Sequence, residues 1–531
     1  MTFLPISNPC SRAVLCTLVL TTGMHMASAQ KAKPIQTIPS VSADWTSYNG
    51  DLSGRRYSQL NQINRDNVKS LTLAWAFPTR GPVLKTTPVE SNGILYFTAP
   101  DKVWAVDART GQVIWLHTRP SVGNHIAQRG IALYKDRVYV GTPDAHLLCL
   151  NARDGKQIWD VEIADSKFGY YLAAAPIVIH GHVLIGTSGD QADVAHFMEA
   201  RDWETGAKQW RMDSLPKPGG PGSETWPDAK AMSRGGGPLW LTGTYDEELN
   251  LLYVGTGNPH PVLDGLARKG DNLYTSCILA VNPDTGAIVW YFQVSPHDTH
   301  DWDAVETTML IDDIYKGKPR KMLAQASRNG YYFLLDRRTG EDLVTSPFVQ
   351  SNWTVGVDAK GRPVPDPVKE PQVAGTLVHE TSIGATSWMA PSLDLDTKML
   401  YVTSVMGYSY WHLVLDENGQ PEDHQGGASI GLITDSALVA VDYATGKVKW
   451  TRPGGPGRNA AGVLTTAGHL LFTGDILGNT LALDPIDGKV LWHTRGGGNM
   501  NNGPITYMVD GRQYVVTAAD DMLYAWALPQ N

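Results

Sequence analysis

Short apolar runs recur along the chain, each followed by a polar turn and a second alternating run that closes on tryptophan. In 105–115 the run Ala105-Val106 leads through Asp107-Ala108-Arg109-Thr110-Gly111 into Val113-Ile114-Trp115. The pattern predicts a hairpin. The first run makes a strand, Asp107 accepts from backbone N–H groups of the turn, Gly111 supplies a positive-φ position and 113–115 starts the return strand. Copies end at Trp159, Trp210, Trp290, Trp450 and Trp492; a degenerate copy spans 334–344, with Val344 in place of the tryptophan, and an eighth starts at Ala525. The first position is small in most copies (Ala105, Cys149, Ala200, Ala280, Ala440, Ala482), so each indole is expected to pack against the small position of a neighbouring unit. Burying an indole in this way is worth a few kcal/mol at roughly 25 cal/mol per Å².

The spacing of these first positions fits a blade period of about 40–50 residues carrying four short strands, the sequence mark of a β-propeller. The chain is expected to be all-β, an eight-bladed propeller in one domain over 30–531. Two wide intervals, from Ala200 to Ala280 and from Leu334 to Ala440, must hold insertions. The Pro/Gly-rich run 215–222 and the polar stretch 352–380 are the candidates, and they are expected to cap one face of the disc. The segment 67–75 has strand character and ends in Trp75, while the copy at Ala525 lacks its closing half. The two ends are expected to complete one blade and so remove an exposed edge.

Composition adds the compartment. Residues 1–29 carry one basic residue (Arg12), a short apolar run and Ala27-Ser28-Ala29, which together read as a secretory signal cleaved near Gln30. The apolar run is far shorter than the ~20 residues of a bilayer span, and no cysteine follows it in the setting a lipoprotein needs. The protein is therefore expected in the periplasm. The net charge of −9 becomes −10 without Arg12, and the absence of a basic cluster argues against nucleic acid as a partner. Cys10 and Cys16 leave with the signal; Cys149 and Cys277 read as buried free thiols. No Cys-x-x-Cys-His motif for covalent haem occurs.

Candidate chemistry lies where the repeat is interrupted. Gly255-Thr256-Gly257-Asn258-Pro259 follows an apolar strand, and Asn258 taken alone is an ordinary turn residue. His297-Asp298-Thr299-His300-Asp301-Trp302-Asp303 crowds three carboxylates and two histidines on one loop. Such a loop is solvated, paired with cations or bound to a metal ion.

The tryptophan-ended repeat, the Gly-Thr-Gly-Asn-Pro loop, the His-Asp-x-x-Asp-Trp-Asp loop and Ser327-Arg328-Asn329-Gly330 before a Tyr/Phe strand occur in this order. Together they resemble the pyrroloquinoline-quinone (PQQ) dependent alcohol dehydrogenases, over almost the whole mature chain. The resemblance implies that Trp240 stacks on the quinone, Asn258 ligates metal, Asp301 is the catalytic base and also meets the metal, and Arg328 is the cation beside the quinone oxygens. It further implies cofactor contacts from Arg129, Ser188, Gly189 and Asp190, and from the positions of Lys85, Ser387 and Trp388. Asp303 matches the extra carboxylate of lanthanide-using members, which calcium-using members usually lack. A hard cation with oxygen ligands polarises the quinone carbonyl while a carboxylate takes the alcohol proton. Electrons then pass to a separate cytochrome c.

The chain departs from the family at several positions. Gln191 stands for a metal-binding glutamate, Lys85 for a glutamate near the cofactor, Ala173 for a hydroxyl residue and Ser387 for an asparagine, while Gly123-Asn124 replaces a cysteine pair. Lys85 is expected to pair with a quinone carboxylate. Two readings follow: a dehydrogenase oxidising alcohols, or a relative that has kept the propeller as a binding or assembly scaffold. The choice of alcohol and the oligomeric state, a homodimer included, are left open.

Overall fold

The tryptophan-ended stretches are antiparallel strand pairs, and the polar turn between them is built as the residue types require. Asp107 accepts the Arg109 N–H at 2.7 Å, and Gly111 lies at φ +72°. A computed structural model describes residues 44–123, 127–189 and 193–530. The segment 1–29 read as a secretory signal, Asn124, Asp190 and Gln191 therefore lie outside the described residues. The described residues all belong to one compact unit.

Eight sheets of four or five strands follow one another along the chain. In chain order they span 89–118, 132–162, 177–213, 244–293, 309–347, 376–456, 464–495 and 505–527, and are termed blades 1 to 8. Blade 8 takes its outer strand from the start of the chain: Thr72–Pro78 pairs antiparallel with Met522–Ala527. This is the eight-bladed propeller closed by its two ends. The closing segment is shorter than the sequence pattern suggests, because Val68–Ser70 is a 3-10 turn and the strand begins only at Thr72. No helix among the described residues is long and apolar enough to cross a membrane.

The tryptophan packing differs from the expectation in one respect. The small first position is the cross-strand partner of its own tryptophan, Ala105 with Trp115 and Ala280 with Trp290. On the neighbouring blade the indole meets the turn glycine instead. A Cβ at Gly155 would lie 2.6 Å from Trp115, and one at Gly340 2.6 Å from Trp290. Four of the indoles also donate to a carbonyl of that same turn: Trp75 to Ala108 (3.0 Å), Trp115 to Ala152 (2.9 Å), Trp210 to Pro283 (2.9 Å) and Trp290 to Arg337 (3.1 Å). The physical reason is reach. Only a residue without a Cβ lets a flat ring lie on the turn while its N–H meets the open carbonyl.

The run 215–222 lies between blades 3 and 4 and the stretch 352–380 leads from blade 5 into blade 6, but they are not the whole of the added structure. Within 352–380 a small hairpin (Thr354–Val357 with Pro363–Pro365) precedes the strand Thr376–His379, which pairs with Met399–Leu413. That strand and its partner Gly427–Asp442 run far past the blade as a long ribbon. The turn of the ribbon meets the loop between the second and third strands of blade 4, Leu251–Gly255 and Cys277–Val281, since the His424 and Gln425 carbonyls accept the Val262 and Leu263 N–H groups. Trp302, Trp353 and Trp411 join Val262 and Leu263 in one apolar cluster. The cap is thus packed directly onto the loop that carries Asp301.

Candidate active site

The acidic loop 297–303 is set by its own first carboxylate. Buried Asp298 accepts the N–H groups of His300 (3.0 Å) and Trp302 (2.9 Å). Burial pushes the Asp298 carboxyl up to about 6 despite those bonds. His300 is stacked on Trp302 with ring centroids 4.4 Å apart, and burial lowers its pKa to about 3, so it is neutral. The turn this enforces leaves Asp301 in the left-handed region at φ +62°. Asp301 is the more open of the two acids that follow, at 36% side-chain exposure against 4% for Asp303.

Arg328 binds both. Its Nη2 donates to Asp301 (2.8 Å) and to the Ser382 carbonyl (2.9 Å), its Nη1 to Asp303 (3.1 Å), and its Nε to the Ile383 carbonyl (3.2 Å). Burial works against the charge, but Asp301, Asp303, Glu306 and Asp298 outweigh it and raise the Arg328 pKa. Asp303 in turn accepts the Trp240 indole N–H at 2.7 Å and the Asn258 backbone N–H at 2.7 Å. Gly257 allows that approach, since a Cβ there would sit 2.7 Å from the Asp303 carboxylate. The carboxylate therefore fixes the indole, the asparagine loop and the guanidinium at once.

These groups line one cavity of about 160 Å³, together with Arg129, Tyr171, Ala173, Gly189, Pro238, Ser387 and Trp388. Arg129 lies between two indoles, its guanidinium carbon 4.9 Å from the Trp240 ring centre and 5.6 Å from that of Trp388. Two buried donors in its walls, Arg129 Nε and Trp388 Nε1, have no hydrogen-bond partner within the protein. Ser188 is buried behind the wall, where its hydroxyl accepts the Ala173 N–H at 3.3 Å. Lys85 lines the adjoining cavity of about 290 Å³, which shares Ala127 with the first. A larger cavity of about 730 Å³, against residues 46–52, holds none of the motif residues; size alone does not mark the site.

Of the residues singled out in the sequence, Trp240, Asn258, Asp301, Asp303, Arg328, Arg129, Gly189, Ser387 and Trp388 converge. Among the described residues no cluster of three His, Cys, Asp or Glu side chains is arranged for a metal; an amide such as Asn258 falls outside that set. Sequence reasoning missed Asp298 as the anchor of its own loop. It also missed Arg458, whose guanidinium carbon is 4.9 Å from the Trp388 ring centre. The first could have been found from an Asp three residues before the candidate base, where a carboxylate can accept from the turn it precedes. Nothing near Arg458 in the sequence marks it.

A propeller whose hub brings two carboxylates, an arginine and an indole into one cavity defines a quinoprotein dehydrogenase. The chain belongs to that family: residues 45–349 and 436–515 match the PQQ-type glucose/ethanol/alcohol dehydrogenase β-propeller domain. Among individual proteins, it is 36% identical over 522 residues to the quinohemoprotein alcohol dehydrogenase ADH-IIG of Pseudomonas putida, covering 90% of this chain and 72% of that protein. It is 31% identical over 530 residues to the 1-butanol dehydrogenase (cytochrome c) of Thauera butanivorans, covering 90% and 74%. A solved europium-containing methanol dehydrogenase superposes with a TM-score of 0.83 at 28% identity, over 91% of this chain and 98% of that one.

Proposed function

We propose that this chain is a periplasmic PQQ- and metal-dependent dehydrogenase that oxidises an alcohol to the aldehyde and passes the electrons to a cytochrome c. The observation that carries the reading is the single cavity in which Asp301, Arg328, Asn258 and Trp240 meet. The donor set fits the cofactor: two buried N–H groups without protein partners suit an oxygen-rich ligand, and an indole face suits a planar one. Carboxylate and amide oxygens from Asp301, Asp303 and Asn258 suit a hard cation. When bound, PQQ and the metal supply an electrophilic carbonyl that accepts a hydride, and with it two electrons, from the alcohol carbon.

The residues of the chain do the rest. Asp301 takes the hydroxyl proton, and its partial exposure leaves it open to a substrate while Asp303 stays buried. Arg328 holds Asp301 in place at the cavity, and three further bonds fix the plane of its own guanidinium. Asp298 holds the backbone of Asp301. Asp303 orients Trp240. The cap formed by Trp302, Trp353 and Trp411 closes the loop from behind and limits water at the base.

The metal we assign is a lanthanide in preference to calcium, because Asp303 adds a second carboxylate beside Asp301, and a trivalent ion gains most from the added charge. The similarity to a europium-containing methanol dehydrogenase supports it. The similarity to a 1-butanol dehydrogenase (cytochrome c) supports a primary alcohol as substrate and a cytochrome as acceptor. The segment 1–29 directs export, and the catalytic domain starts near residue 30.

The test is reconstitution of purified protein with PQQ and either lanthanum or calcium, read by quinone absorbance and by dye reduction with a panel of alcohols. Uptake of PQQ and alcohol-dependent dye reduction are expected, with Asp301→Asn lowering kcat by about 10²–10⁴-fold. Asp303→Ala is expected to abolish the preference for lanthanum. No PQQ uptake with either metal would refute the reading; full activity in calcium with lanthanides rigorously excluded would refute the metal assignment alone.

A further inference from the structure

The end of the cavity bounded by Trp388 is ringed by positive charge drawn from three separate parts of the chain. Around this one indole lie the Arg458 guanidinium at 4.9 Å, that of Arg129 at 5.6 Å and the Lys85 ammonium at 6.0 Å from the ring centre. Lys85 sits between the closing strand and blade 1, Arg129 between blades 1 and 2, and Arg458 between blades 6 and 7. Only the closed ring brings them together.

Like charges held this close repel one another. Burial lowers the Lys85 pKa, and the charges of Arg129 and Arg458 lower it further. Burial lowers the pKa of Arg129 and of Arg458 as well. Three cations gathered on one side of a pocket are an arrangement for a ligand with several anionic groups. The faces of Trp388 and Trp240 restrict that ligand to a flat one, and Trp388 Nε1 and Arg129 Nε are buried donors that such a ligand can meet.

We propose that Arg458 and Lys85 are cofactor-binding residues of this chain, forming with Arg129 a three-cation cradle around Trp388 for the carboxylate groups of the quinone. The proposal rests on the PQQ reading above and assigns the anionic rim of the cofactor to this end of the cavity. The opposite charge, carried by Asp301 and Asp303, faces the reacting end. The cradle makes cofactor uptake an electrostatic event, so affinity should depend on salt and on the charge at positions 85 and 458.

The test measures PQQ binding directly, by equilibrium dialysis of lanthanum- or calcium-loaded protein at several salt concentrations, without turnover. Arg458→Gln and Lys85→Gln are each expected to raise the Kd for PQQ by about 5–30-fold and to flatten its dependence on salt. Lys85→Glu should weaken binding further than Lys85→Gln, and Arg458→Lys should retain most of the salt dependence. The neutral trimethyl ester of PQQ, as a second probe, should bind parent and variants alike. Urea unfolding of each variant separates lost binding from lost folding. Folded Gln variants that bind PQQ with the parent's Kd and salt slope would overturn the cradle and leave the PQQ reading intact. A parent that binds no PQQ would remove both.

Discussion

Arg328 uses its Nε, Nη1 and Nη2 on four acceptors, two carboxylates and two backbone carbonyls. A lysine keeps the charge but presents a single nitrogen, so Asp301 and Asp303 can no longer be held together in one plane. Arg328→Lys is expected to lower kcat by about 10–100-fold while quinone uptake is retained, because small misplacements of a reacting group cost that much; single-turnover kinetics would check it. A second single-residue effect lies outside the lining of the cavity. Glu90 is buried in the first strand of blade 1, accepts the Gly93 N–H at 2.7 Å, and burial pushes its carboxyl up to about 7. The native protein holds a proton there that the unfolded chain releases near pH 4.3, so this contribution to stability falls as pH rises from about 4.5 to 7. Glu90→Gln keeps the acceptor and cannot ionise. Urea unfolding at pH 4.5 and pH 8 should show the variant gaining on the parent by about 1–3 kcal/mol at the higher pH, and identical pH dependences would sink the argument. Asp301 and Arg328 were legible in the sequence because each sits in a local motif. Arg458 was not, since its role depends on a ring closed by residues hundreds of positions apart.

At the scale of the element, the unit of stability is the tryptophan of one blade lying on the turn of the next. Gly340 is at φ +76° and a Cβ there would lie 2.6 Å from Trp290, whereas a Cβ at Gly317, at φ +78°, would meet nothing within 4 Å. The backbone strain of an added methyl is the same at both sites, about 1–2 kcal/mol. Only Gly340 also meets the indole. Gly340→Ala is therefore expected to cost about 2–4 kcal/mol, and Gly317→Ala about 1–2. Urea midpoints decide it, and equal losses would mean that the docking contact adds nothing. The hairpins were legible because each is written in eleven consecutive residues. The direction of the indole was not, because the local pattern shows that the ring is buried without showing which neighbour receives it. The long ribbon of blade 6 was also missed: Met399–Leu413 reads as one more strand until its pairing with Thr376–His379 is seen.

For the whole molecule, the ring has one place where the outer strand of a blade is not tied to its neighbour by a tight turn. Blades 1 to 6 each form within one continuous run of chain and blade 7 adds only Tyr57–Ser58 beside its first strand, but blade 8 takes its outer strand Thr72–Pro78 from the start of the chain, held by pairing with Met522–Ala527, by Trp75 and by Phe77 against Phe97 and Trp104. Trp75 and Trp115 are equally buried, at 7% exposure each, and their indoles donate to equivalent carbonyls at 3.0 and 2.9 Å. Packing alone therefore predicts the same loss for Trp75→Ala and Trp115→Ala, about 3–5 kcal/mol. Topology predicts a difference. Without Trp115 the strand Val113–Thr118 is still joined through a short turn to its partner, and its loosening is limited by that tether. Without Trp75 the closing strand keeps only its ladder and the Phe77 contacts and has no turn to tether it, so it can leave as a unit and open the ring at a sheet edge. Native-state hydrogen exchange should show fast exchange confined to Thr72–Pro78 and Met522–Ala527 in Trp75→Ala, with no such block in Trp115→Ala. The cradle of Lys85, Arg129 and Arg458 straddles this seam, since Lys85 follows the closing strand directly. Opening the seam should therefore weaken PQQ binding in Trp75→Ala alone, and bound PQQ should slow exchange of the closing strand in the parent, because a ligand that binds only the closed ring stabilises it. Equal exchange patterns in the two variants would show that the seam is no weaker than any other blade junction.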